Sequence, residues 1–106
     1  MSGFGDMGNL LKQAQEMQRN LDRARAELKE LVVEGTGGGG VVRVEVNGEG
    51  EVRSVHIDDS VATSGDRAML EDLVLAALRD GISRASALRQ EKLGAVTGGM
   101  NLPGLF

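Results

Sequence analysis

Residues 35–46 read GTGGGGVVRVEV, separated by Glu34 alone from an apolar Val32-Val33 pair. Gly35, Gly37 and Gly40 stand at the spacing of a dinucleotide-binding loop. Such a loop must leave a strand and open a helix, because the anion sits on free backbone N–H groups at the helix N-terminus. The residues after Gly40 do not have a helical pattern. Val42, Val44 and Val46 alternate with Arg43 and Glu45, and period two in β-branched residues specifies a strand. A Walker-type loop fails as well, since no Lys-Ser or Lys-Thr succeeds the glycines. The stretch reads as a long strand-to-strand connection in which glycine supplies the positive φ that turns require. No cofactor is expected.

Working outward, Asn47-Gly48-Glu49-Gly50 marks a second hairpin. It leads into a strand over Glu51–Asp58, where Val55 and Ile57 share one face with Arg53 and leave Val52, Ser54 and His56 on the other. A strand over Leu31–Gly35 precedes the glycines. The middle of the chain is thus expected to be a meander of three antiparallel strands with one apolar face.

The flanks are helical. Leu10, Ala14, Met17, Leu21, Ala24, Leu28 and Leu31 are spaced alternately by four and three residues, a heptad stripe. Good helix formers fill the positions between, and Asp6 or Asn9 can cap the start. A helix over Met7–Leu31 would be roughly 37 Å long, longer than any sheet this chain can build, so part of it projects and its seam needs a partner. The last regular element runs from about Asp66 to Leu93. Its first half, MLEDLVLAAL, is apolar around most of its circumference, which suits packing on the sheet and on a neighbour. Its second half keeps only a narrow stripe of Ile82, Ala85 and Leu88. Gly94 reads as its C-cap. The projecting seams are covered either by pairing the two helices antiparallel within one chain or by pairing the first helix across two chains. The order helix, three strands, helix makes an α+β fold in a single domain over residues 1–106, with residues 1–6 and 94–106 as flexible ends.

Composition narrows the function classes. The 106 residues include two Phe, no Trp and no Tyr, so valine, leucine, alanine and methionine carry the burial. So small a core, with 16 glycines in the chain, favours burial against a second copy, a homodimer. The absence of cysteine excludes disulfides and thiolate metal sites. Met1–Asn9 lacks a basic start and an apolar run, and the uncharged stretch Leu93–Phe106 is too short to span a bilayer. A cytoplasmic protein without a membrane partner is expected.

No catalytic constellation emerges, and no small-molecule substrate is implied. His56 is the only histidine; it has no cysteine partner for a metal and no nucleophile marked beside it. Asp58-Asp59 and Glu71-Asp72 are sequence neighbours, which do not converge on one site in a strand or a helix. The first pair reads as a strand end and the second as an early-helix dipole position.

The net charge of −4 is unevenly spread. Residues 32–65 carry six acidic and two basic side chains, whereas the two flanking segments hold ten of the twelve cations. On the first helix Lys12, Arg19 and Arg23 fall on one strip opposite the apolar seam, with Glu16, Asp22 and Glu27 interspersed. Arg19 and Arg23 are like charges four residues apart, a small cost that a bound anion would relieve. No aromatic residue lies among them to stack on bases.

Five segments in order, Leu10-Leu11-Lys12-Gln13-Ala14-Gln15 with Met17, Val44-Glu45-Val46-Asn47-Gly48, Val55-His56-Ile57-Asp58, Met69-Leu70-Glu71-Asp72-Leu73-Val74 and Gly99-Met100-Asn101-Leu102-Pro103-Gly104, give the chain a resemblance to the YbaB/EbfC family of bacterial nucleoid-associated proteins over nearly its whole length. The resemblance implies a tweezer-shaped homodimer with helical arms and no enzymatic activity. It implies binding of double-stranded DNA with low or variable sequence preference in the nucleoid, with effects on nucleoid organisation and gene expression. Basic arm residues are the natural DNA contacts of that family, and here they correspond to Lys12, Arg19, Arg23, Arg84, Arg89 and Lys92. The alternative expectation is a dimeric protein–protein interaction module that binds no nucleic acid.

Overall fold

The valine alternation sets the middle of the sheet. In the computed structural model, which describes residues 3–98 and side chains from Met7 onward, Val42, Val44 and Val46 are fully buried on one face of β2 (Val42–Asn47). Strand β1 (Val32–Gly37) and strand β3 (Val52–Ile57) pair with it on either side, both antiparallel, in the order β1-β2-β3. The meander is the one expected, with bounds shifted by one or two residues. A register slip between Glu45 and Val46 places Val52 opposite Val46, on the apolar face with Val55 rather than with His56.

The glycine run divides into two parts with different physics. Gly38, Gly39 and Gly40 form the turn and have positive φ of 62°, 75° and 106°, as expected. Gly35, expected as the last residue of the first strand, lies within β1, and Gly37, expected in the connection, is a strand residue as well. They sit opposite Val44 and Val42, under helix α3 (Arg67–Val96). A Cβ on Gly35 would lie 2.2 Å from the Gly81 nitrogen, and one on Gly37 would lie 2.3 Å from the Leu73 carbonyl oxygen. Gly81 itself has Val44 and Val46 methyls within 3 Å of where its Cβ would be. Helix and strand therefore touch backbone to backbone, which only glycine permits.

Helix α3 lies over β1 and β2 and barely reaches β3. Ala77, Ala85 and the three β2 valines close this core, with Val33, Ile57, Leu73, Val74 and Leu78 around it. A short helix, α2 (Asp59–Ala62), intervenes between sheet and α3 where a plain strand end was expected. Its N-cap is Asp58, whose carboxylate accepts hydrogen bonds from the Ser60 backbone and hydroxyl. Asp66 caps α3 by accepting from the Met69 N–H. Glu71 and Asp72 lie in the second turn, so the dipole position expected for them is not what they occupy; the first turn of α3 contains no acid. Gly94 is inside the helix, and Thr97 is the C-cap in its place, with Gly98 next at φ 68°.

Helix α1 (Gly3–Glu30) starts four residues earlier than its apolar stripe suggests. Helix thus occupies residues 3–6 and 94–96 of the two ends expected to be flexible; residues 1–2 and 99–106 lie outside the described residues. The last turn of α1 is tied to the β2–β3 hairpin. The Gly48 N–H donates to the Leu28 and Leu31 carbonyls at 2.8 and 2.9 Å. The Lys29 carbonyl accepts from Asn47 Nδ2 at 3.1 Å and Arg53 Nη2 at 3.0 Å. Carbonyls that a helix end leaves orphaned are thereby satisfied, and the direction of α1 is fixed by the sheet.

The seam question resolves within one chain for the lower half of the arm. Leu21, Ala24 and Leu28 of α1 pack with Leu93 of α3, flanked by Met17, Leu88 and Val96. Burying Leu28 and Leu93 completely contributes about 1.5–3 kcal/mol each. The helices run antiparallel, α3 leaving the sheet as α1 arrives. Val96 reaches only the level of Asn20 and Ala24. Beyond that point Met7, Leu10 and Leu11 remain mostly exposed, and the chain is drawn out to 76 × 20 × 16 Å.

Candidate nucleic-acid interface

The cations divide by environment. Lys12, Arg19 and Arg23 are exposed on α1. Since α3 packs on the side of Leu21, Ala24 and Leu28, the helical period turns Lys12 and Arg19 away from it, while Arg23 borders the cleft between the two helices. None of the three forms an ion pair among the described residues. From Lys12 to Arg23 the strip is about 17 Å long at the helical rise. Gln18 donates to Asp22, and the Asp22 carboxylate also lies 3.9 Å from Arg25, so this acid is engaged beside the strip.

The three late cations are engaged differently. Lys92 Nζ is 2.6 Å from Glu27 Oε2, bridging the two helices of the arm. The Lys92 hydrogen bond and charge hold the Glu27 carboxyl below its usual range, aided by Arg23. Arg84 Nε donates to Asp80 Oδ1 at 3.1 Å. The other Asp80 oxygen accepts the Thr36 N–H at 3.0 Å, and this backbone bond, with Arg84, depresses the Asp80 pKa. Arg89 is half-buried, and its Nε is shut off from solvent without a hydrogen-bond partner. The six expected residues therefore differ in availability, three being exposed without ion pairs among the described residues and three engaged or partly covered. A shallow cleft lined by Asn20, Arg23, Ala24, Glu27, Lys92, Ala95 and Val96 brings only Arg23 and Lys92 together.

The acid of the strand segment lies on the sheet, away from this strip. Glu34 and Glu45 face each other across β1 and β2, on the sheet face opposite α3, where His56 stands across from Arg43. Asp58 is depressed chiefly by its bonds to Ser60, and less by His56 and Arg43. Among the described residues no group of three or more His, Cys, Asp or Glu converges for a metal ion, and no helix is long and apolar enough to cross a membrane.

An apolar face of α3 for a neighbour, expected from MLEDLVLAAL, extends onto β3, an extension absent from the expectations that the sequence raises. Val52 and Val55 on β3 are 43% and 50% exposed, and Leu75 and Ile82 on α3 are 45% and 48% exposed. All four lie on the α3 side of the sheet, where the helix leaves β3 uncovered. The seven-residue spacing of Leu75 and Ile82 carries the signal, masked in the sequence by the apolar residues around them.

Comparison with known proteins gives one answer. The family model described as the YbaB/EbfC DNA-binding family matches residues 3–100. Proteins named nucleoid-associated protein are similar over nearly their full length. That of Alkaliphilus metalliredigens is 42% identical over 100% of this chain and 93% of its own. That of an Exiguobacterium species is 51% identical over 98% of this chain and 99% of its own. A crystal structure of an uncharacterized protein from Helicobacter pylori aligns with TM-score 0.73 and 28% identity, covering 92% of this chain and 99% of that one. With the helix–sheet–helix subunit and the near-complete match, the chain belongs to the YbaB/EbfC DNA-binding family.

Proposed function

We propose that the protein is a homodimeric nucleoid-associated protein of the bacterial cytoplasm that binds double-stranded DNA through phosphates, without enzymatic activity. The observation that carries this reading is the strip of Lys12, Arg19 and Arg23, exposed on the outside of α1 without ion pairs among the described residues. Two copies present six such cations. Arg84 and Lys92 add to them only by loosening their bonds to Asp80 and Glu27, and Arg89, half-buried beside the β2–β3 hairpin, is the least available of the six. Net acidity does not oppose binding when the acid is concentrated in residues 32–65, away from the strip; it confines the duplex to the arms.

Contacts of this kind position a protein without reading bases. Neutralising about six phosphates gives a slope of log K against log salt of roughly −5. The test is fluorescence anisotropy with several unrelated duplexes from low to physiological salt. Affinities within about tenfold of one another and that steep slope are expected from phosphate-dominated binding. Absence of binding at low salt would refute the reading. It would favour a protein-binding module instead, to which the exposed Met7, Leu10 and Leu11 are suited.

A further inference from the structure

The flank of α3 that overlooks β3 carries a self-complementary pattern. Glu71, Leu75, Leu78, Ile82, Ala85 and Arg89 are spaced 4, 3, 4, 3 and 4, a heptad seam on one helix. Its acid stands at one end and its base at the other. Glu71 is exposed and forms no ion pair among the described residues. Leu75 and Ile82 are exposed in the middle. Arg89 closes the far end in a cleft with Gly48, Gly50, Ile82, Ala85 and Ser86, half-buried, its Nε covered and without a hydrogen-bond partner among the described residues. That Nε is already closed off by its own chain, so the remaining N–H groups of the guanidinium are the ones that can turn to an acceptor from outside.

We infer that this seam packs antiparallel on the same seam of a second copy, and that the partner's Glu71 accepts a hydrogen bond from Arg89. Two-fold symmetry about a point near Asp80 brings Leu78 against the partner's Ile82 and Glu71 against the partner's Arg89, with Leu75 at the level of Ala85, which is buried in its own core. Every layer then joins the two seam positions, as antiparallel helix pairs require. A parallel arrangement would oppose like charges at both ends. The same docking lays the partner's helix over Val52 and Val55, which α3 leaves uncovered in its own subunit. An isologous interface makes each contact twice, so one ion pair counts double in the affinity. Glu71 and Arg89 thereby set the register and orientation of the dimer.

This inference rests on the homodimer proposed for the chain, and charge reversal separates the two. Dimer dissociation is followed by sedimentation for the wild type, Glu71→Arg, Arg89→Glu and the double reversal, with circular dichroism monitoring the fold. Each single reversal is expected to weaken the dimer by about tenfold or more, and the double reversal to return to within about threefold of wild type. As a second measure, Leu78→Cys with Ile82→Cys in this cysteine-free chain should oxidise to a covalent dimer, while Ile82→Cys alone should not. A dimer indifferent to both reversals, or a double variant no better than the singles, overturns the pairing and leaves the homodimer standing. A wild-type monomer at micromolar concentration overturns both.

Discussion

Substituting Gly35 by alanine isolates the contact on which the fold is assembled. The added Cβ would meet the Gly81 nitrogen at 2.2 Å, the Ala77 carbonyl oxygen at 2.3 Å and the Gly81 Cα at 2.5 Å. All three are backbone atoms, so no side chain can swing aside and α3 must lift from β1. Lifting it opens the layer formed by Val42, Val44, Val46, Ala77 and Ala85. Overpacking alone costs about 1–3 kcal/mol, and loss of neighbouring contacts places the expected cost at or above about 3 kcal/mol. For a domain of this size that is a fall in Tm of roughly 12–24 °C. Two other glycines calibrate the measurement. Gly8→Ala, in α1 with open space around it, should raise stability by about 1 kcal/mol. Gly39→Ala, at φ 75° with nothing nearby, should lower it by about 1–2 kcal/mol for the left-handed backbone. Thermal melts by circular dichroism at fixed protein concentration read all three. A Gly35→Ala protein melting within about 2 °C of wild type would refute the reasoning, as would a larger loss in Gly39→Ala.

The hairpin anchor gives a second outcome. Asn47 is fully buried and bonds the Lys29 carbonyl, Glu51 and the N–H groups of Glu49 and Glu51; Asn47→Ala should cost about 3 kcal/mol, read by urea unfolding. On the apolar flank, if the proposed dimer forms there, Ile82→Glu should leave the chain folded and shift sedimentation to the monomer, because an unpaired charge cannot enter a dry interface. Acid should destabilise the fold in a defined window. Asp80, Glu27 and Asp58 are all depressed in the folded state, so the unfolded chain binds more protons. The stability they contribute is present above the ordinary carboxylate range and lost as pH falls through the folded values. Tm should be nearly flat from pH 8 to about 5 and drop below about 4, with a shallower drop in Asp80→Asn; a Tm that rises on acidification would contradict the sign.

Local signals in the sequence are enough for the elements. The Val42, Val44, Val46 alternation marks β2, and the stripe through Leu21, Ala24 and Leu28 marks the half of α1 that α3 covers. The close approach at Gly35 and Gly37 escapes such a reading because glycine signals both a turn and a close backbone approach. Their spacing of two, in phase with Val33, is the strand pattern that distinguishes these cases. The Asp58 cap is masked because an Asp58-Asp59 pair also suits a strand end, although Ser60 is the residue that an N-cap aspartate bonds. The strip of Lys12, Arg19 and Arg23 is legible because it depends on helical period alone. The fates of Lys92, Arg84 and Arg89 are not. The Glu27 partner of Lys92 is distant in sequence, Asp80 is fixed by Thr36 on another element, and burial of the Arg89 Nε depends on a cleft formed by the β2–β3 hairpin.

Under the proposed function DNA lies against the outer face of the arm, and charge reversal there tests this most directly. Fluorescence anisotropy of one duplex at several salt concentrations compares the wild type with Arg19→Glu/Arg23→Glu, both residues being off the seam that holds α1 to α3. The double variant should remain folded and dimeric, bind DNA at least about tenfold more weakly, and lose roughly 3 to 4 from the magnitude of the salt slope, about four phosphate contacts per dimer being removed. Equal affinity and an unchanged slope in a folded, dimeric variant would contradict the assignment of DNA binding to this face.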